Sequence, residues 1–278
     1  MPILSIITAV SNGLAMNKIF LESLKKYTLN SYELIIIDNN SSDGTREYFQ
    51  NNNAIVIKNN ANYSYPYCQN QGIEVATGKY FVFLNNDVIV CPSWDDILIN
   101  HSINFDLDIL CAADNGQTGN KLLDRKFQKR WKRIKYSLYA IGKISRLSLW
   151  LMHQLMYGNW NKFCDQWNEK YKGEICEGLV GANIMMTQKG LNTVGWWDER
   201  IQAADFDLIY RIQERISLFN DIKPCCIIKS CFIHHYSRMT LKYCQKPAPF
   251  EDQSNLISLD AKWKNKKTSL IKEYSHYK

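Results

Sequence analysis

Glycine and proline are scarce in this chain, 13 and 6 in 278 residues, which excludes collagen-like and low-complexity architectures. No run of eighteen apolar residues occurs, so no membrane-spanning helix is expected. The opening MPILSIITAV has neither the basic start nor the length of a secretory leader. The nine cysteines include no C-x-x-C pair, which argues against a zinc ribbon. Their odd number points to reduced thiols and a cytoplasmic setting. Two phosphate-binding signatures are also missing. Without G-x-G-x-x-G after the first strand there is no case for a nicotinamide or flavin cofactor, and without G-x-x-x-x-G-K none for a P-loop.

What is present describes an ordinary globular protein: 46% hydrophobic and 22% charged residues, enough chain for one large core. The formal net charge of +7 suggests anionic partners. Apolar runs at Ile3–Val10, Tyr32–Ile37, Ala54–Lys58 and Tyr80–Leu84 alternate with helical spacing around Phe20–Tyr27, Thr45–Gln50 and Asn70–Thr77. Strand and helix in alternation predict an α/β fold with a mostly parallel, doubly wound sheet and helices on both faces.

The organising stretch is KYFVFLNNDVIV, Lys79 to Val90: a buried-type strand running directly into Asn85, Asn86 and Asp87. Polar residues there can simply make a turn. The carboxyl end of a strand is also where open α/β sheets bind ligands, so Asp87 is a candidate metal ligand. A hard divalent cation, Mn²⁺ or Mg²⁺, on one carboxylate plus substrate phosphates would neutralise a departing diphosphate. Asp38, ending the second strand, could contact a ribose or base or form an Asx-turn in DNNSSDGT.

These segments, SIITAVSN, YELIIIDNNSSDGT and NNANYSYPYCQNQGIEVATGKYFVFLNNDVIV, resemble the nucleotide-sugar half of family 2 glycosyltransferases of the GT-A fold, over roughly residues 3 to 100. The resemblance implies nucleoside contacts at Thr8, Ala9 and Asp38, and contacts near the diphosphate and base at Asn70 and Gly72. It implies a D-x-D metal motif at Asn85, Asn86 and Asp87. Ala9 stands where the family usually has proline. Asn85 replaces the first aspartate, giving the LNND variant common in rhamnosyl- and O-antigen-type transferases.

Residues 119–172 differ in character: thirteen Lys or Arg face Asp124, Asp165 and Glu169. Phe127, Trp131, Ile134, Leu138 and Ile141 recur at helical spacing among basic residues, predicting a basic amphipathic helix. It could pack on the sheet or on another subunit with its charges in water, or meet an anionic membrane surface carrying a lipid-linked acceptor; nucleic acid is the least favoured partner. His153 reads as structural.

Beyond it, Glu177–Thr187 reads as one strand with Gly178 and Gly181 placed for close approach. Asp205 and Asp207 fall where a helix begins and could serve only as cap and dipole compensation. The resemblance continues here, to the family's GWFDE and G-E-D-x-D-L. It implies Asp205 as general base, with Trp197 and Asp207 on the acceptor side and Ala204 in place of the glutamate. It further implies that a late histidine completes the metal shell or touches the diphosphate. The spacing to Thr240 favours His235 over His234, and adjacent strand residues face opposite ways. A last helix is expected over Asp252–Trp263.

The expected organisation is 1–118 for the nucleotide-sugar half, 119–172 for the insertion, 173–245 for the acceptor half and 246–278 for the tail. The expected activity is inverting transfer from a UDP- or dTDP-sugar to a glycan or lipid-linked acceptor, in polysaccharide or glycan synthesis. A nucleotide-sugar-binding relative without chemistry is the rival reading.

Overall fold

The computed structural model describes residues 1–139, 145–237, 239 and 248–264. Ile141, Thr240 and the tail beyond residue 264 lie outside the described residues. The chain opens with β1 (Leu4–Val10), α1 (Leu14–Tyr27), β2 (Tyr32–Asn39), α2 (Thr45–Gln50), β3 (Ile55–Asn59), α3 (Tyr65–Val75) and β4 (Tyr80–Leu84). All pairings among these four strands are parallel, because each crossover carries a helix and returns the chain to the same edge. β1, β2 and β4 are buried on both faces, hence their uninterrupted Ile, Leu, Val and Phe. α3 begins at Tyr65, five residues before the sequence expectation, because Pro66 occupies its first turn, where a missing N–H costs nothing.

The second half is β5 (Val88–Ile89), α4 (Trp94–Phe105), β6 (Ile109–Asp114), α5 (Lys121–Tyr139), α6 (Arg146–Tyr157), α7 (Trp160–Lys170), β7 (Ile175–Glu177), β8 (Asn183–Thr187), α8 (Gln188–Val194), α9 (Ala204–Phe219) and β9 (Cys226–His235). A 3-10 turn (Gln253–Asn255) and α10 (Leu259–Trp263) follow. The strand order is β3-β2-β1-β4-β8-β6-β9-β5, with β7 on β9. β8 runs antiparallel to both β4 and β6, and β9 runs parallel to β6. β4, β6 and β9 therefore point the same way, and their carboxyl ends share one edge of the sheet with those of β1 and β2.

Two expectations are corrected. Glu177–Thr187 is not one strand: Gly178 has φ 148°, outside the range of a side chain on a strand, and the chain turns through residues 178–182 between β7 and β8. The last helix is broken, because Leu256 is extended and the Ile257 N–H donates to the Arg200 carbonyl.

α5, α6 and α7 cover β9 with aromatic side chains gathered on Phe232. Its ring centroid lies 4.6 Å from Trp167, 5.2 Å from Phe163 and 5.5 Å from Phe127. Three indole N–H groups donate to carbonyls here: Trp160 to Val90 at 3.1 Å, Trp167 to Lys229 at 2.6 Å and Trp131 to Ser237 at 3.5 Å. Large apolar bodies with one polar handle thus seal a sheet edge that would otherwise offer unpaired backbone groups.

Candidate active site

The shared carboxyl edge opens into a cleft of about 480 Å³. Asn85 after β4, Asp114 at the end of β6 and His235 at the end of β9 line one side of it; Gly181 and Ala182 before β8 and Asp205 in α9 line another. Each comes from the end of a rigid strand or the start of a helix, so the side chains converge because the elements do.

Asp87 follows β4 and is buried, with Oδ1 lacking a hydrogen-bond partner among the described residues. His235 Nε2 lies 3.4 Å from that oxygen, and its Nδ1 lies 3.1 Å from Asp114 Oδ2. The His235 side chain is 21% exposed. Burial pulls its pKa down, but the Asp87 charge and the hydrogen bond the ring donates to Asp114 overcome this and lift it to about 10. In the protein alone, an imidazolium therefore sits where a cation is favoured. Asp114 holds the ring further: its Oδ1 accepts from the Gly116 and Gln117 N–H groups at 2.6 and 2.7 Å, and Asn115 Oδ1 accepts the His235 N–H at 2.7 Å. A carboxylate on the far nitrogen of a histidine is the usual outer-shell arrangement of a metal ligand. No group of three or more His, Cys, Asp or Glu poised for a metal occurs among the described residues. Asp87 and His235 thus offer two donors, and phosphate oxygens and water would have to complete the shell.

Asp205 occupies the first turn of α9, where the helix favours negative charge. Its Oδ1 accepts the Phe206 N–H at 3.0 Å, and among the described residues no cation pairs with it. Burial pushes its pKa above the usual carboxylate value. Gly181 makes the room: a Cβ there would lie 2.5 Å from Asp205 Oδ2. Tyr65 and Trp197 line the same cleft, their rings 5.8 Å apart edge to face, and both Tyr65 Oη and Trp197 Nε1 are buried without partners among the described residues. Unsatisfied buried polar atoms cost about 1–3 kcal/mol each. These two offer the cleft polar groups that a ligand could satisfy.

The remaining residues singled out from sequence lie as follows. Thr8 is buried in β1 with its hydroxyl unpartnered, next to half-buried Ala9. Asp38 is fully buried at the end of β2; Arg46 Nε donates to it at 2.6 Å and the Ser41 N–H at 3.2 Å. A nucleoside there would have to share the carboxylate with Arg46. Asn86 donates to Asn17 at 2.6 Å. Asn70 exchanges hydrogen bonds with both backbone groups of Trp197 and donates to Glu199, so it fixes the loop that presents Trp197. Gly72 is where α3 meets β1: a Cβ would lie 2.2 Å from Ile7 Cγ2. Asp207 points away from the cleft, bound to Arg211, Lys262 and Trp263. His234 faces the helices, its Nδ1 2.7 Å from His153 Nδ1. Burial lowers both histidines, His153 to about 4, so this pair is neutral.

Sequence reasoning passed over Asp114, Tyr65 and Gln202. Asp114 had a signal, since Ile109–Ala113 is an apolar strand ending in an acid, the pattern that singled out Asp87. Tyr65 and Gln202 carried none, because only tertiary packing brings them to the cleft.

With the geometry in hand, the comparisons with known proteins fall into place. The model of the family described as "Glycosyl transferase family 2" matches residues 5–150, more than half of the chain. The chain belongs to this glycosyltransferase family. It is 34% identical over 116 residues to the uncharacterized glycosyltransferase YibD of Escherichia coli (strain K12), covering 40% of this chain and 34% of that protein. The matched stretch thus spans about a third of this relative. The fold is similar to that of the mannosyltransferase PcManGT from Pyrobaculum calidifontis, solved in complex with GDP-Man and Mn²⁺. The TM-score is 0.55 at 11% identity, over 87% of this chain and 59% of that one. The chain has the GT-A fold, and the cleft described above opens at the carboxyl edge of its sheet.

Proposed function

We propose that this glycosyltransferase moves a sugar from a nucleoside-diphosphate sugar, UDP- or dTDP-linked, to a hydroxyl of a glycan acceptor, with inversion. The observation that carries this reading is Asp205: a buried carboxylate, paired with no cation among the described residues, its pKa raised, in the cleft that also holds His235 and Asn85. A base must be ionised yet basic enough to take a proton, and a carboxylate raised above its usual value meets both needs. The acceptor O–H proton passes to Asp205 as the oxygen bonds to the anomeric carbon. The bond from that carbon to the diphosphate oxygen breaks, and its electron pair leaves with the diphosphate. One displacement inverts the anomeric configuration.

The unpartnered Asp87 Oδ1 with His235 Nε2 beside it fits a divalent cation, Mn²⁺ or Mg²⁺. Asp87 and His235 would hold it, and when bound it supplies positive charge against the leaving diphosphate. Asp114 keeps the His235 ring turned toward Asp87. Trp197 offers a flat apolar wall on the acceptor side. The Mn²⁺ and GDP-Man of the mannosyltransferase complex support a donor and metal of this kind.

A panel of nucleotide sugars, incubated with the protein and Mn²⁺ and assayed for released nucleoside diphosphate, tests the proposal. Metal-dependent release from at least one donor is expected. Binding of nucleotide sugars with no release in the presence of glycan acceptors would show a binding protein on the same fold.

A further inference from the structure

α6 leaves a ridge of large apolar side chains in water. Leu147 is 72% exposed, Trp150 54%, Leu151 37% and Leu155 47%. At spacings of three and four residues they lie along one side of the helix, opposite Leu149, Met152 and Met156, which are buried. A contiguous exposed patch of this kind on a soluble fold marks a contact surface.

What covers it is indicated by its flank. α5 packs against α6, and Arg130 of α5 donates to the Leu155 carbonyl at 2.8 Å, so the two exposed faces adjoin. Lys121, Arg125, Lys126, Lys129, Arg130, Lys132 and Arg133 of α5 are all exposed. The helix's one acid, Asp124, is turned to the Thr118 hydroxyl and N–H. α6 itself carries Arg146 and no acid. An apolar ridge beside an almost purely cationic helix face is the composition of an element lying in the plane of an anionic membrane surface. α6 has twelve residues, too few to cross a bilayer. An apolar cleft of about 480 Å³, lined by Ile19, Ile89, Leu147 and Trp150 among others, opens beside the ridge and has room for an acyl chain.

We infer that α5 and α6 form a docking surface for an anionic phospholipid bilayer, with Leu147, Trp150, Leu151 and Leu155 entering the acyl boundary and the α5 cations meeting headgroup phosphates. The buried face of the same helix reaches the cleft: Trp131 and Lys135 of α5 donate to the Ser237 carbonyl, and Ser237 lines the cleft with His235. Docking would bring that cleft to the membrane plane. The inference rests on surface chemistry and not on the proposed reaction, so its test reads binding and not transfer.

Sedimentation with vesicles of phosphatidylcholine alone, or with 30% phosphatidylglycerol, at low and high salt tests it. Binding to the anionic vesicles should exceed binding to neutral ones by about tenfold or more and should weaken with salt, since the α5 cations are attracted to the negative surface potential and salt screens it. Leu147→Ser with Trp150→Ser, and separately Lys129→Glu with Arg133→Glu, should each reduce anionic binding about tenfold with the thermal midpoint held. All four residues are exposed, so the fold should tolerate these changes. Equal binding to both vesicles, or binding to neither, overturns the inference. So does a concentration-dependent dimer abolished by the ridge variant, which would show that a second copy covers the ridge.

Discussion

Removing the Asp87 carboxylate deletes one of two protein donors at the proposed cation site without touching the apolar core. Asp87→Ala should therefore abolish Mn²⁺-dependent affinity for nucleoside diphosphate while the protein still melts cooperatively. Calorimetry with UDP and Mn²⁺ checks this; unchanged metal-dependent affinity would contradict the assignment. His235 adds a pH dependence. A metal must displace the proton that the Asp87 charge and the Asp114 hydrogen bond hold there to about pH 10, so Mn²⁺ affinity should rise as pH rises from about 6.5. Asp114→Asn removes a carboxylate from the ring, and NMR titration should show His235 falling back toward the ordinary histidine range. The sequence announced Asp87, His235 and Asp205 because motifs flank them. It did not announce Asp114, whose partner His235 is 121 residues away along the chain.

At the scale of elements, the joint between α9 and α10 is held by one buried carboxylate. Asp207 accepts from Arg211 at 2.9 Å, from Lys262 at 2.6 Å and from the Trp263 indole at 2.8 Å. Truncating one member of a buried ion pair strands its partners, at about 3–5 kcal/mol; because Arg211 and Lys262 are partly exposed, Asp207→Ala should fall at or below the lower end of that range. Denaturant unfolding measures this, and a loss under about 1 kcal/mol would show that the joint contributes little. Gly72→Ala should cost about 1–3 kcal/mol, by driving α3 from β1 or distorting Ile7.

The elements themselves were unequally legible. In β1 to β4, strand and helix alternate with clear apolar runs, and the parallel sheet follows from local pattern. The second half depends on distant pairings. The turn through residues 178–182 hides in an apolar stretch, EGLVGANIMMT, and only the φ of Gly178 and the approach of Asp205 to Gly181 reveal it.

At the scale of the whole molecule, two ionisable groups of the cleft make stability depend on pH in opposite senses. The His235 pKa is raised on folding, so its contribution to stability is complete below about pH 6.5 and is lost as pH climbs toward about 10. The metal-free thermal midpoint should decline across that window, and in His235→Gln this part of the decline should vanish. Asp205 works in the opposite sense, since ionising it in its buried place opposes folding above its raised pKa. The amide of Asp205→Asn keeps the size of the side chain without its charge, so that variant should melt no lower than the parent, and above it at neutral pH.

The same substitution tests the central claim most directly, because the proposed reaction needs a base and Asp205 is the cleft carboxylate that no cation among the described residues occupies. With a donor and acceptor pair from the nucleotide-sugar panel, the transfer rate of Asp205→Asn is compared with the parent's, and donor affinity is measured alongside. General-base assistance is worth ~10²–10⁴-fold. The account predicts unchanged donor affinity and a rate lower by at least about a hundredfold. Transfer at close to the parental rate would contradict it, and the base would have to be sought elsewhere in the cleft.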